Sequence, residues 1–114
     1  MQRVLVYAPT GATRKLYQKN LFSRDREIIL AKDPAEFFLS LVIFEIDTLI
    51  MVDEGKQHDW NMMIEVVRKK YDHKRCITIT LDTKVIRGFE RYSSTRAFFL
   101  ALQREQDDRL DLLV

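Results

Sequence analysis

A chain of 114 residues, 46% hydrophobic and 32% charged, is long enough for one domain with its own core and too apolar to be disordered. Its 19 basic and 17 acidic residues leave a formal charge of +2, which makes no electrostatic case for nucleic acid or for an anionic membrane. The lone cysteine, Cys76, excludes an internal disulfide and suits a reducing cytoplasm.

Residues 3–8 read as a first strand that Pro9 stops. They are too short an apolar stretch for a secretory leader. Thr10 is placed to cap a helix with Gly11 and Ala12 in its first turn. That helix is predicted to reach about residue 22, with Thr13, Leu16, Tyr17, Asn20 and Leu21 inward and Arg14, Lys15 and Lys19 outward. Residues 27–31 form a second short strand.

Asp33-Pro34-Ala35-Glu36 is the clearest local signal. Asp is a strong N-cap, Pro is favoured at the first helical position, and Glu at the third completes a capping box. In the helix that follows, Phe38, Leu39, Val42 and Ile46 are predicted to face a sheet. Phe37, Leu41 and Phe44 form a second apolar stripe, about 100° or more around the axis. A helix apolar on two faces is either sandwiched or docked. Phe37, Leu41 and Phe44 are therefore the candidate interface, with a protein partner or a second copy of the chain as occupant. The same apolar run, broken by Ser40 and ended by Glu45, falls well short of the ~20 residues a membrane span needs.

Thr48-Leu49-Ile50-Met51-Val52, between Asp47 and Asp53, reads as a strand buried on both faces, the kind found in parallel sheets. Asp53 then stands at the carboxyl end of a central strand, the edge where open α/β sheets bind ligands. Glu54-Gly55 turns the chain there. Asp59 can cap a third helix, in which Trp60, Met63, Ile64, Val67 and Tyr71 recur on one face. Arg68, Lys69 and Lys70 at its end complement the helix dipole. Residues 76–81 form a fourth strand, and Cys76 within it reads as a buried, inert thiol. Residues 82–92 fit either a helical period through Val85, Ile86, Phe89 and Tyr92 or a short fifth strand. Ser93 or Ser94 can cap a last helix, from Thr95 to about residue 109, with Phe98, Ala101 and Leu102 inward. Strict alternation of strand and helix implies one α/β domain over residues 1–114, a parallel sheet with helices on both faces. Val6, Leu49, Ile50 and Ile79 are expected in its core.

Candidate chemistry is sparse. Residues 10–15 open a helix after a strand, so their amides with Arg14 and Lys15 can hold an anion at Thr10 and Gly11. There is no full phosphate-binding glycine pattern, and a plain cap is the commoner meaning. His58 and His73 are 15 residues apart with no ligand cluster near either, so no metal site is expected and both read as surface residues. The basic run at residues 68–75 reads as a solvated helix end rather than a nucleic-acid surface.

Strand, helix, strand, helix, and then Asp53 ending the third strand resembles a response-regulator receiver domain of the CheY-like (flavodoxin-like) fold. The resemblance spans nearly the whole chain. It implies a three-layer sandwich with a sheet of four to five strands ordered 2-1-3-4-(5). It places Asp53 as the equivalent of the phosphoacceptor, Asp47 as the acidic residue at that strand's start, and Thr80 as the switch hydroxyl. Gly88-Phe89 is similar to the pair that opens the fifth strand. The departures are specific. The acidic pair that would hold Mg²⁺ with Asp53 is replaced by Ala8 and Pro9. The lysine-proline pair after the fifth strand is replaced by Arg91 or Tyr92, followed by Ser93. The region of the fourth helix is shortened. Phosphoryl transfer to a carboxylate needs its developing charge neutralised. One carboxylate does not replace three around Mg²⁺, which takes near-octahedral oxygen ligands. The expected reading is a non-catalytic pseudo-receiver without cofactor or metal: a cytoplasmic signalling or scaffolding domain that works by protein contact, independent of phosphorylation. Two alternatives stay open: an atypical phosphoacceptor receiver of a two-component system using Asp53, and a small anion-binding protein using the Thr10–Lys15 turn.

Overall fold

The computed structural model describes residues 1–55, 59–71 and 74–112, the last five of these as helical backbone. His58 and His73 lie outside the described residues. The elements run β1 (Gln2–Tyr7), α1 (Gly11–Leu21), β2 (Arg26–Ala31), α2 (Pro34–Ile43), β3 (Thr48–Val52), α3 (Trp60–Lys70), β4 (Arg75–Ile79), β5 (Phe89–Tyr92) and α4 (Thr95–Leu112). The five strands form one sheet in the order β2-β1-β3-β4-β5. Every pairing is parallel.

Side chains alternate across a strand, so each of the three central strands feeds two cores. On one face Leu5, Tyr7, Leu49, Met51 and Cys76 pack with Phe37 and Leu41 of α2 and Met63, Ile64 and Val67 of α3. On the other, Val4, Val6, Ile50, Val52, Ile77 and Ile79 pack with Tyr17 and Leu21 of α1 and Phe98 of α4. All five residues of β3 are buried, as its apolar run implied. Val6, Leu49, Ile50 and Ile79 are core residues, as expected.

The start of α2 follows its local chemistry. Asp33 Oδ1 accepts from the Glu36 amide at 2.8 Å. Glu36 Oε2 accepts in return from the Lys32 amide at 2.9 Å, one residue before the cap itself. The face that α2 turns inward matches the expected one only in part: Phe38 is half-buried against the core and Ile46 is buried, but Leu39 and Val42 lie outward. Phe37 and Leu41 are 0% and 7% exposed, whereas Leu39, Val42 and Ile43 are 58%, 80% and 60% exposed. Phe37, Leu41 and Phe44 are therefore no surface stripe: the first two are core, and Phe44 is half-buried against it. Tertiary shape made this choice. The Phe37 ring meets Tyr7 of β1 edge-on at 5.8 Å. The helix also stops at Ile43, with Phe44 already extended, so Ile46 reaches the core from the strand approach rather than from a helical face.

Elsewhere the corrections are smaller. The inner face of α1 narrows to Tyr17 and Leu21, while Leu16 and Asn20 stay exposed. Residues 89–92 are the fifth strand, and residues 82–86 form no regular element. Gly88, at φ +88°, makes the turn into β5 in a region where an L side chain would be strained. Ser94 Oγ accepts from the Ala97 amide at 3.1 Å and caps α4. No helix among the described residues is long and apolar enough to cross a membrane.

Tyr17 ties the second core to α4, its phenol 2.8 Å from Thr95 Oγ1. Burial pushes that phenol up to about 12; the Thr95 bond opposes the shift and the Glu54 charge adds to it. The folded chain thus holds this proton longer than the unfolded chain. The stabilisation is complete below pH 10 and is lost as pH rises toward about 12. In urea titrations at rising alkaline pH, the wild type is expected to lose stability more steeply than Tyr17→Phe. Equal slopes would refute the assignment.

Candidate functional site

Three loops meet at the carboxyl ends of β1, β3 and β4, because parallel strands in register end side by side. Tyr7 pairs with Met51, and Val52 with Ile79. Asp53 follows β3 directly. Its amide donates to the Ile79 carbonyl at 2.8 Å, which continues the ladder one step past the strand. The carboxylate is held on both oxygens. Thr80 Oγ1 donates to Oδ2 at 2.8 Å. The Gly55 amide donates to Oδ1 at 3.0 Å, closing an Asx-type turn that Gly55 makes at φ +78°. The Thr80 hydroxyl is buried and accepts in turn from the Asp82 amide at 3.1 Å. A chain of bonds therefore runs from the β4–β5 loop through Thr80 to Asp53.

Glu54 crosses the site. Its Oε2 accepts from the Thr10 amide at 2.9 Å and also from the Thr10 hydroxyl. The start of α1 thus already carries an anion, and that anion is the chain's own carboxylate. Thr10 is drawn into the site, but its hydroxyl serves Glu54 rather than the helix amides. Arg14 turns back, with Nη1 donating to the carbonyls of Ala8 and Pro9 at 2.8 Å each. Lys15 is exposed. Within the Thr10–Lys15 turn, the Thr10 amide and hydroxyl are therefore already engaged by the chain's own carboxylate.

The remaining candidates divide. Arg91 is a strap: Nε donates to the Asp82 carbonyl at 2.6 Å and Nη2 to that of Leu81 at 3.5 Å. Tyr92 packs its ring on Phe98 at 5.2 Å, and its carbonyl accepts from the Thr80 amide at 3.0 Å. Asp82 Oδ1 accepts from the Lys84 amide at 3.0 Å. Asp47 lies at the opposite end of β3, where Oδ2 accepts from the Arg3 amide at 2.8 Å. Phe37 is fully buried, while Leu41 and Phe44 line a small pocket with Ile46, Leu49, Tyr71 and Lys74 that does not include Asp53.

The described residues do not fit Mg²⁺. Ala8, fully buried, and Pro9 stand where the receiver resemblance calls for two carboxylates, and Glu54 is engaged on Thr10. Among the described residues no group of three or more His, Cys, Asp or Glu side chains is placed to hold a metal ion. The basic run is matched by acids in part: Arg68 and Lys69 pair with Glu65 at 2.7 and 3.5 Å, and Arg75 pairs with Glu90 at 2.7 Å and Glu105 at 3.4 Å. Asp72 and His73 of that run lie outside the described residues.

The bond from Glu54 to Thr10 was invisible in the sequence. The two residues are 44 positions apart, and only the β1–β3 register sets them side by side. A glutamate directly after a strand-ending aspartate is the one signal that points toward it.

No protein-family model and no curated protein matches the chain. Solved structures do. The signal receiver domain of an HD domain-containing protein from Pseudomonas fluorescens Pf-5 superposes with a TM-score of 0.75 at 18% identity, over 96% of this chain and 94% of that one. A chain from the complex of histidine kinase ThkA with response regulator protein TrrA gives 0.68 at 18% identity, over 91% and 97%. A response regulator receiver domain protein from Clostridium thermocellum gives 0.65 at 18% identity, over the full length of both. The chain thus has the CheY-like receiver fold, with the strand order that the resemblance implied.

Proposed function

We propose that this domain is a pseudo-receiver: a cytoplasmic signalling or scaffolding module that works by contact with another protein, without turnover and without phosphorylation at Asp53. The observation that carries the reading is the state of the acceptor site. Asp53 has both oxygens bonded to Thr80 and Gly55, and no carboxylate stands at positions 8 and 9. A phosphoryl group arriving there would meet a negative carboxylate with little to neutralise the charge that develops on its oxygens. A receiver-fold module of this kind keeps its usefulness as a shaped surface. One structural neighbour comes from a complex between a histidine kinase and a response regulator, which supports protein contact as the mode of action.

Trp60, half-buried at the start of α3, follows the Asp53 loop closely enough in sequence to report on it. Titration with Mg²⁺, alone and with a small phosphodonor, is expected to leave its fluorescence without a saturable change and to leave the protein mass unaltered. Saturable quenching at low-millimolar Mg²⁺ that disappears in Asp53→Asn, or a phosphoryl adduct lost in the same variant, would make Asp53 a working acceptor and overturn the reading.

A further inference from the structure

Helix α2 is apolar on both faces, and only one is used inside the domain. Its outer stripe is Ala35, Leu39, Val42 and Ile43, at the i, i+4, i+7, i+8 spacing of one helical face. All four are exposed. Glu36 is the one charged residue within the helix. The other helices keep solvent with charge: α1 exposes Lys15 and Lys19, and α3 exposes Glu65, Arg68 and Lys69. A continuous apolar stripe of this kind marks a contact surface.

We propose that the outer face of α2 packs antiparallel against α2 of a second copy of this chain, about a two-fold axis at Leu39. Three features point to self-pairing. First, the stripe has opposite charges at its two ends, exposed Lys32 just before the helix and exposed Glu45 just after it. The two-fold operation sets each Lys32 beside the other copy's Glu45, so the same pair forms twice. Second, it sets the small Ala35 of each copy against the bulky Ile43 of the other, with Leu39 against itself. Third, the two helix dipoles oppose each other along the contact. Within one chain Lys32 Nζ stands 3.7 Å from Glu36 Oε1, an exposed pair worth little and easily exchanged. The size of the contact sets its strength. A helix of ten residues is only ~15 Å long. It covers less than the ~800 Å² per partner of a standard interface, so the dimer is reversible rather than obligate.

The pairing names the partner in the protein-contact reading above and rests on that reading. Mg²⁺ response at Asp53 tests one and oligomeric state tests the other, so the two fail separately. Sedimentation equilibrium of the intact chain is expected to show a monomer–dimer exchange in the micromolar range. Val42→Glu should be monomeric with an unchanged far-UV circular dichroism spectrum. Lys32→Glu should weaken the dimer by roughly tenfold, through two lost pairs and two new repulsions. Adding Glu45→Lys to it should restore most of that loss. Leu39→Cys should cross-link to itself under mild oxidation, since the axis runs beside it. A chain that stays monomeric into the high micromolar range overturns the proposal. So does a dimer that survives Val42→Glu, or a double charge reversal no better than the single one.

Discussion

Replacing Leu41 with glutamate is expected to unfold the domain at neutral pH, while the same replacement at the next residue, Val42, leaves it folded. Leu41 is 7% exposed and Val42 80% exposed. Truncating a buried leucine alone costs about 2–5 kcal/mol. A carboxylate left in the core without a partner adds several kcal/mol more. Against a total stability of about 5–15 kcal/mol, that is enough to empty the native state. Val42→Glu meets water instead and should shift the stability of the monomer by no more than ~0.5 kcal/mol. Circular dichroism and urea titration of the two variants provide the check. A folded Leu41→Glu with a wild-type midpoint would mean that α2 is seated on its other face.

The second large effect is expected at Phe98. Among the described side chains of α4 it is the only one that is buried, at 1% exposure. Its ring lies 6.3 Å from that of Tyr17, 5.2 Å from Tyr92 and 5.9 Å from Phe99. Removing it leaves a cavity bounded by α1, β5 and α4, and takes away the anchor of the last helix. Phe98→Ala should cost about 3–5 kcal/mol. Leu100→Ala, on the exposed side of α4, should stay within ~0.5 kcal/mol. Amide exchange should locate the damage, with protection lost first along α4 and β5 and retained longest in β1 and β3. Loss spread evenly over the whole sheet would show that α4 is not separately anchored.

Local signals in the sequence were dependable where a few neighbouring residues settle the matter. Asp33-Pro34-Ala35-Glu36 starts a helix because the cap side chain and the amide it receives are three residues apart. Residues 48–52 form a central strand because an unbroken apolar run of that length needs cover on both faces. The alternation of such segments implied a parallel sheet and placed Asp53 and Thr80 at the same edge, where a hydrogen bond now joins them. Residues 82–92 were evenly balanced, since Val85, Ile86, Phe89 and Tyr92 satisfy a helical period while the peptide also fits a strand. The open edge of β4 tipped that balance: its pairing with Phe89–Tyr92 satisfies backbone groups that a helix there would leave exposed.

The receiver resemblance implied the strand order and the two carboxylates missing beside Asp53; by itself, the sequence determined the order of elements, the core of the sheet and an acidic strand end. These depend on composition, periodicity and neighbours, which are written along the chain. Tertiary structure alone decided which apolar face of α2 lies inside, because Phe37, Leu41 and Phe44 are as apolar as Leu39, Val42 and Ile43. Periodicity is blind to a choice between two apolar stripes. The shape of the space beside Tyr7 is not. Tertiary structure alone also brought Glu54 to Thr10, filling the start of α1 with a carboxylate from the far side of β3. Such a contact depends on which strand ends are neighbours, and that is a property of the assembled sheet rather than of any stretch of sequence.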